Sequence, residues 1–140
     1  MKPVKRIAVG FDGSPDAEAA VRWAMTLAKQ IDAEVVVVHA VGLLEHAAGG
    51  GVARLEKAAA ELARECGIEP AQVQWHVGDG DPCSVLVRAG TGDPVAADLL
   101  VVGSRGRGAH AGLLLGSTSH ELAEHSVVPL VIVPVGRAGR

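Results

Sequence analysis

The part of the chain best equipped for chemistry is GSRGRGAHAGLLLGST, residues 103–118. It is rich in glycine, carries Arg105, Arg107 and His110, and ends on Ser117 and Thr118. No Asp or Glu occurs between residues 99 and 120. Glycines reach positive φ and let backbone N–H groups come close to a ligand. A run of such N–H groups makes an anion-binding concavity. A helix restarting near Ser117 would add its unbonded N–H groups and the positive end of its dipole. Together these features describe a cradle for phosphate. The plain alternative is a surface loop that tolerates glycine.

Other chemistries fit less well. No Gly-Lys dipeptide occurs, so there is no Walker A loop, and no GxGxxG follows the first apolar run. His110, His120 and His125 do not form a metal site, because the five-residue step from His120 to His125 places them off a common helical face. No Ser–His–Asp set or carboxylate pair can be assigned, so no catalytic residue is named. Cys66 and Cys83 lack zinc or redox spacing and read as reduced, small apolar side chains. His39 reads as a hydrogen-bonded structural histidine, and Trp23 and Trp75 as packing residues.

The elements that would position the cradle follow from hydrophobic pattern. IAVGF (7–11) is a short buried strand closed by DGSP, with Ser14 as N-cap and Pro15 at the first helical position. Ala17, Val21, Ala24, Ala28 and Ile31 make one apolar helical face. EVVVVHAV (34–41) is a strand covered on both sides. Val52, Leu55, Ala59, Leu62 and Cys66 define a second helix ended by Gly67. VQWHV (73–77) is a third strand. Asp81 and Pro82 open a third helix, expected to stop near Ala89 because Gly90, Gly92 and Pro94 follow. DLLVVG (98–103) is a fourth strand. Thr118 and Glu121 have capping-box spacing, which predicts a helix over 118–126. VVPLVIVPV (127–135) is the last strand.

Strands alternating with helices imply parallel pairing through helical crossovers. The expected fold is a single-domain α/β protein over residues 1–140. Its core is a doubly wound, flavodoxin- or Rossmann-like five-stranded parallel sheet in order 3-2-1-4-5, with helices on both faces. Ligands of such sheets bind at the carboxyl ends of the strands, near the switch in strand order. The turn after the first strand and the glycine-rich stretch after the fourth both lie there.

Composition sets outer bounds. The chain has 140 residues, a formal net charge of -3 and a hydrophobic fraction of 49% with only 2% aromatics. The charge argues against a nucleic-acid partner, and the scarcity of aromatics against a flavin. No apolar run approaches a membrane span or a secretory core, so a cytoplasmic location is expected.

The spacing G-x2-G-x9-G-S, formed by Gly103, Gly106, Gly116 and Ser117, resembles the ATP-binding signature of the universal stress protein family. The flanks RIAVGFDGSPDAEAAVRWAMTLAK, VVVVHAV, ADLLVVGSRGRG and GSTSHELAEHSVVPLVIVP resemble that family in order, over nearly the whole chain. The resemblance implies a stress-response module that senses ATP, with Mg as a companion ion. A slow ATPase or adenylyl-transfer enzyme is the alternative. It implies that Gly10 and Asp12 line the ribose or adenine side and that Val41 touches the base. Gly103, Ser104, Arg105, Gly106, Arg107, Gly108 and Ala109 would wrap ribose and phosphates. Gly116 would close the motif, and Ser117, Thr118 and Ser119 would meet the terminal phosphates. Asp12 also reads as a helix cap. The connection after the second strand is short for the family. The last strand reads as an apolar edge, and the resemblance implies a homodimer pairing through Leu130, Val131, Ile132 and Val133.

Overall fold

A computed structural model describes residues 2–42, 51–105 and 116–134. Five strands form one sheet: β1 (Arg6–Gly10), β2 (Glu34–Val41), β3 (Val73–Asp79), β4 (Leu99–Gly103) and β5 (Leu130–Val133). Their order is β3-β2-β1-β4-β5, and every pairing is parallel. The described helices are α1 (Pro15–Ile31), α2 (Gly51–Glu65), α3 (Pro82–Thr91) and α4 (Ser117–His125), with a 3-10 turn at Pro70–Gln72.

Alternation along the central strands sends side chains to two cores. Ile7, Val9, Val35, Val37, Leu99 and Val101 pack beneath α1 and the Ala59, Leu62 and Ala63 face of α2. Ala8, Val36, Val38, Leu100 and Val102 pack beneath α3 and Leu122 of α4. Burial on both sides is why these strands read as unbroken apolar runs.

Caps set the helix starts. Ser14 Oγ accepts the Ala17 N–H at 3.2 Å, and Pro15 occupies the first turn of α1. Asp81 accepts the Ser84 N–H at 3.0 Å at the head of α3. That backbone bond, then the Ser84 hydroxyl, holds the Asp81 carboxyl below its ordinary value.

β3 runs on to Asp79 rather than ending at Val77, and β1 and β4 differ from expectation by one residue. Three further boundaries differ for reasons of local packing. α3 runs on to Thr91. Gly90 is no stop signal, since a Cβ there would meet Val128 Cγ2 at 2.9 Å, so the glycine permits close packing inside the helix. α4 begins at Ser117 with Gly116 as N-cap and without a side-chain cap, so Thr118 lies inside the first turn. β5 is limited to Leu130–Val133. Ser126 Oγ donates to the Val128 carbonyl at 2.7 Å, bending the chain before Pro129 and leaving Val127 exposed.

Candidate functional site

The switch in strand order falls between β1 and β4, whose connections leave in opposite directions. After β1 the chain turns sharply. Asp12 Oδ1 accepts the Ser14 N–H at 2.9 Å, and Gly13 takes φ 84°, a conformation open to glycine at no steric cost. Asp12 therefore braces the turn one step ahead of the helix cap.

At the end of β4 the backbone runs against the first turn of α1. A Cβ on Gly103 would lie 2.6 Å from the Asp16 carbonyl oxygen and 2.7 Å from its carbon. Only glycine fits that approach. Asp16 Oδ2 accepts the Ser104 hydroxyl at 3.1 Å and the Arg105 N–H at 3.0 Å. Ser104 N–H donates to the Val133 carbonyl at 3.1 Å, extending the sheet ladder.

The far end of the glycine-rich segment is tied to the same place. Gly116 N–H donates to the Ser104 carbonyl at 2.6 Å. Ser119 Oγ donates to the Gly103 carbonyl at 2.6 Å and is buried. The helical ladder of α4 begins with His120 N–H on the Gly116 carbonyl at 3.0 Å. The N–H groups of Ser117, Thr118 and Ser119 precede it, at the positive end of the helix dipole. Ser117 is exposed and Thr118 half-buried.

Gly103, Ser104, Arg105, Gly116, Ser117, Thr118 and Ser119 are thus gathered at the carboxyl ends of the strands, beside the turn that carries Asp12. Gly10 faces the other way, and a Cβ there would lie 3.1 Å from Leu86 of α3. Val41 is buried at the end of β2, and its carbonyl accepts the Gly80 N–H at 3.2 Å. Neither takes part in the bonds that hold the loop base. Gly106, Arg107, Gly108 and Ala109 lie outside the described residues.

Beneath this end, His39 is buried. Its Nδ1 lies 2.9 Å from the Phe11 carbonyl, which only accepts, so Nδ1 carries the hydrogen in that contact. Its ring stacks on Trp75 with centroids 6.3 Å apart. Cys66 and Cys83 are free thiols, and burial pushes both above their ordinary value. Among the described residues, no group of three or more His, Cys, Asp or Glu could hold a metal ion.

One residue of this region was not singled out by sequence reasoning. Asp16 reads locally as an acid favouring the first turn of α1. Its partners lie 88 and 89 positions away, and no local pattern announces them.

A doubly wound α/β sheet with a backbone-lined loop base at its switch point is the class of protein described. The chain belongs to the universal stress protein family, whose model matches residues 3–134. A universal stress protein of Mycolicibacterium smegmatis is 33% identical over 143 residues, covering 91% of this chain and 47% of that protein. The chain thus spans about half the length of that relative. A universal stress protein of Thermus aquaticus is 31% identical over 138 residues, covering 92% of this chain and 98% of that one. The crystal structure of a universal stress protein in complex with cAMP superimposes with a TM-score of 0.75 at 29% identity, covering 94% and 98% of the two chains.

Proposed function

We propose that this chain is a single adenine-nucleotide-binding module that senses ATP, with Mg as companion ion, and regulates a partner in stress response. One observation carries the reading. The two ends of the glycine-rich segment are held together at the switch point, against the N-terminus of α4. That is where open α/β sheets bind ligands and where main-chain N–H groups favour phosphate. The relative with cAMP bound, at 29% identity, supports an adenine nucleotide.

In this reading the N–H groups and hydroxyls of Ser117 and Thr118 donate to the terminal phosphates, and Ser119 adds its N–H while its hydroxyl holds Gly103. Gly103 to Ala109 wrap ribose and phosphates, and Gly116 turns the chain into α4. Asp12 faces the ribose or a water of the metal ion, Gly10 offers only main chain at the end of β1 because its side-chain direction points to α3, and Val41 borders the base. No residue is assigned a catalytic role. Binding would favour one arrangement of the loop, and a partner would read it. The free thiols Cys66 and Cys83 suit a reducing cytoplasm, where ATP is abundant. No described helix is long and apolar enough to cross a membrane.

The reading includes a homodimer through β5, whose Leu130, Val131, Ile132 and Val133 are all half-buried in the single chain. An antiparallel pairing of two copies would cover that edge.

The test is acid extraction of the purified protein, with any released nucleotide identified by mass and absorbance. Thermal unfolding with ATP, AMP, cAMP and GTP would accompany it. Co-purified adenine nucleotide, or a raised Tm with adenine but not guanine ligands, is the expected result. No nucleotide and no shift at millimolar concentration would end this reading.

A further inference from the structure

The window 99–120 holds no acid in sequence, yet the fold brings one to it. The Asp16 carboxylate reaches from α1 to the first residues of the glycine-rich segment, where one oxygen takes both the Ser104 hydroxyl and the Arg105 N–H. These are donors an anionic ligand would otherwise use. The carboxylate oxygen sits 3.1 and 3.0 Å from them, filling their bonding capacity and setting a negative charge beside the loop base. The contact is fixed from both sides, because the Asp16 main chain abuts Gly103 with no room for a Cβ between them.

We propose that Asp16 is a specificity-determining residue that sets a charge limit on the ligand. It disfavours a free polyphosphate relative to ligands of lower net charge, namely a nucleoside monophosphate or a polyphosphate bound to a divalent cation. The inference rests on the nucleotide reading above. The physical basis is like-charge repulsion at a partly exposed site, which grows with the ligand's charge and is screened by salt. AMP and Mg-ATP carry similar net charge, and free ATP carries more. Asp16 therefore makes the site take ATP chiefly as its metal complex, although no protein cluster is needed to hold the metal.

The experiment compares wild type, Asp16→Asn and Asp16→Ser. Affinities for AMP, Mg-ATP and ATP in EDTA are measured by calorimetry at low and high salt. Asparagine keeps an oxygen that accepts from Arg105 and Ser104 and removes only the charge. The expected result is that Asp16→Asn lowers the ratio of the free-ATP Kd to the AMP Kd by about threefold to tenfold at low salt, the scale of a Coulomb interaction between solvent-exposed charges. The Mg-ATP to AMP ratio should stay within about twofold, and the free-ATP effect should shrink at high salt. A purely structural role would move all three ligands together and would not respond to salt in this way. If Asp16→Asn folds poorly, Asp16→Ser, a shorter neutral acceptor, must show the same selective change. Wild type that binds AMP but shows an unchanged free-ATP ratio in both variants overturns the charge limit. Wild type that binds none of the three overturns the nucleotide reading itself.

Discussion

The Ser119 hydroxyl donates to the Gly103 carbonyl at 2.6 Å, tying the first turn of α4 to the last residue of β4. Ser119→Ala removes that donor and leaves the part-buried Gly103 carbonyl without it. The expected loss is about 1–3 kcal/mol of stability. Urea unfolding checks it, and a midpoint equal to that of the parent would mean the bond holds nothing.

Gly103 meets main-chain atoms of Asp16, which cannot rotate away as a side chain would. Gly103→Ala should push β4 and α1 apart and destabilise the protein by about 1–3 kcal/mol. Gly92 is the control. It has extended backbone and nothing within 4 Å of its would-be Cβ, so Gly92→Ala should stay within about 0.5 kcal/mol of wild type. Equal effects at the two positions would remove the steric account.

Asp98 anchors the amino-terminal edge of the sheet. Its carboxylate bonds the Lys2 ammonium at 3.0 Å, the Lys5 N–H at 2.9 Å and the Arg6 N–H at 3.0 Å. The Lys2 contact, followed by the Lys5 N–H, holds its carboxyl below the ordinary value. A carboxyl depressed in the folded state stabilises above its unfolded pKa, about 3.9, and loses that contribution as pH falls through the folded value. Asp98→Asn should therefore cost stability at pH 7, with the gap to wild type closing below about pH 3.9. Urea midpoints at neutral and acid pH read this directly. A gap that widens on acidification would contradict it.

The register of β5 decides how the proposed dimer is tested. Leu100 N–H donates to the Pro129 carbonyl and Ser104 N–H to the Val133 carbonyl. By the alternation of a parallel ladder, Pro129, Val131 and Val133 turn their backbone groups toward β4, and Leu130 and Ile132 turn theirs outward. Ile132→Pro removes an outer donor and leaves the inner ladder intact, as edge strands tolerate. Light scattering should show Ile132→Pro as a monomer and Ile132→Ala, which loses the same packing, still as a dimer. A dimeric Ile132→Pro moves the interface elsewhere.

The sheet was legible because four of its strands are unbroken β-branched or leucine-rich runs, and the starts of α1 and α3 were legible because Ser14-Pro15 and Asp81-Pro82 act locally. The two misjudged helix boundaries share a cause. Gly90 resembles a helix stop until Val128 is seen against it, and the Thr118–Glu121 spacing resembles a capping box until Gly116 is seen to begin the helix. The family, the strand order and the position of the glycine-rich stretch were readable. Asp16 was not, because its role exists only once α1 lies beside β4.

The bond between Gly116 and Ser104 has a consequence for how such a protein diversifies. It closes a neck, so that whatever lies between these two residues leaves and rejoins the scaffold at one point. The closure entropy of a loop grows only slowly with length, by about 0.6 kcal/mol per doubling. Insertions and deletions beyond the neck can therefore accumulate without shifting the register of β4 or the seat of α4. Selection can rewrite the segment beyond the neck while the sheet and its two cores stay as they are, which makes the neck a natural boundary for grafting a loop from one relative onto another.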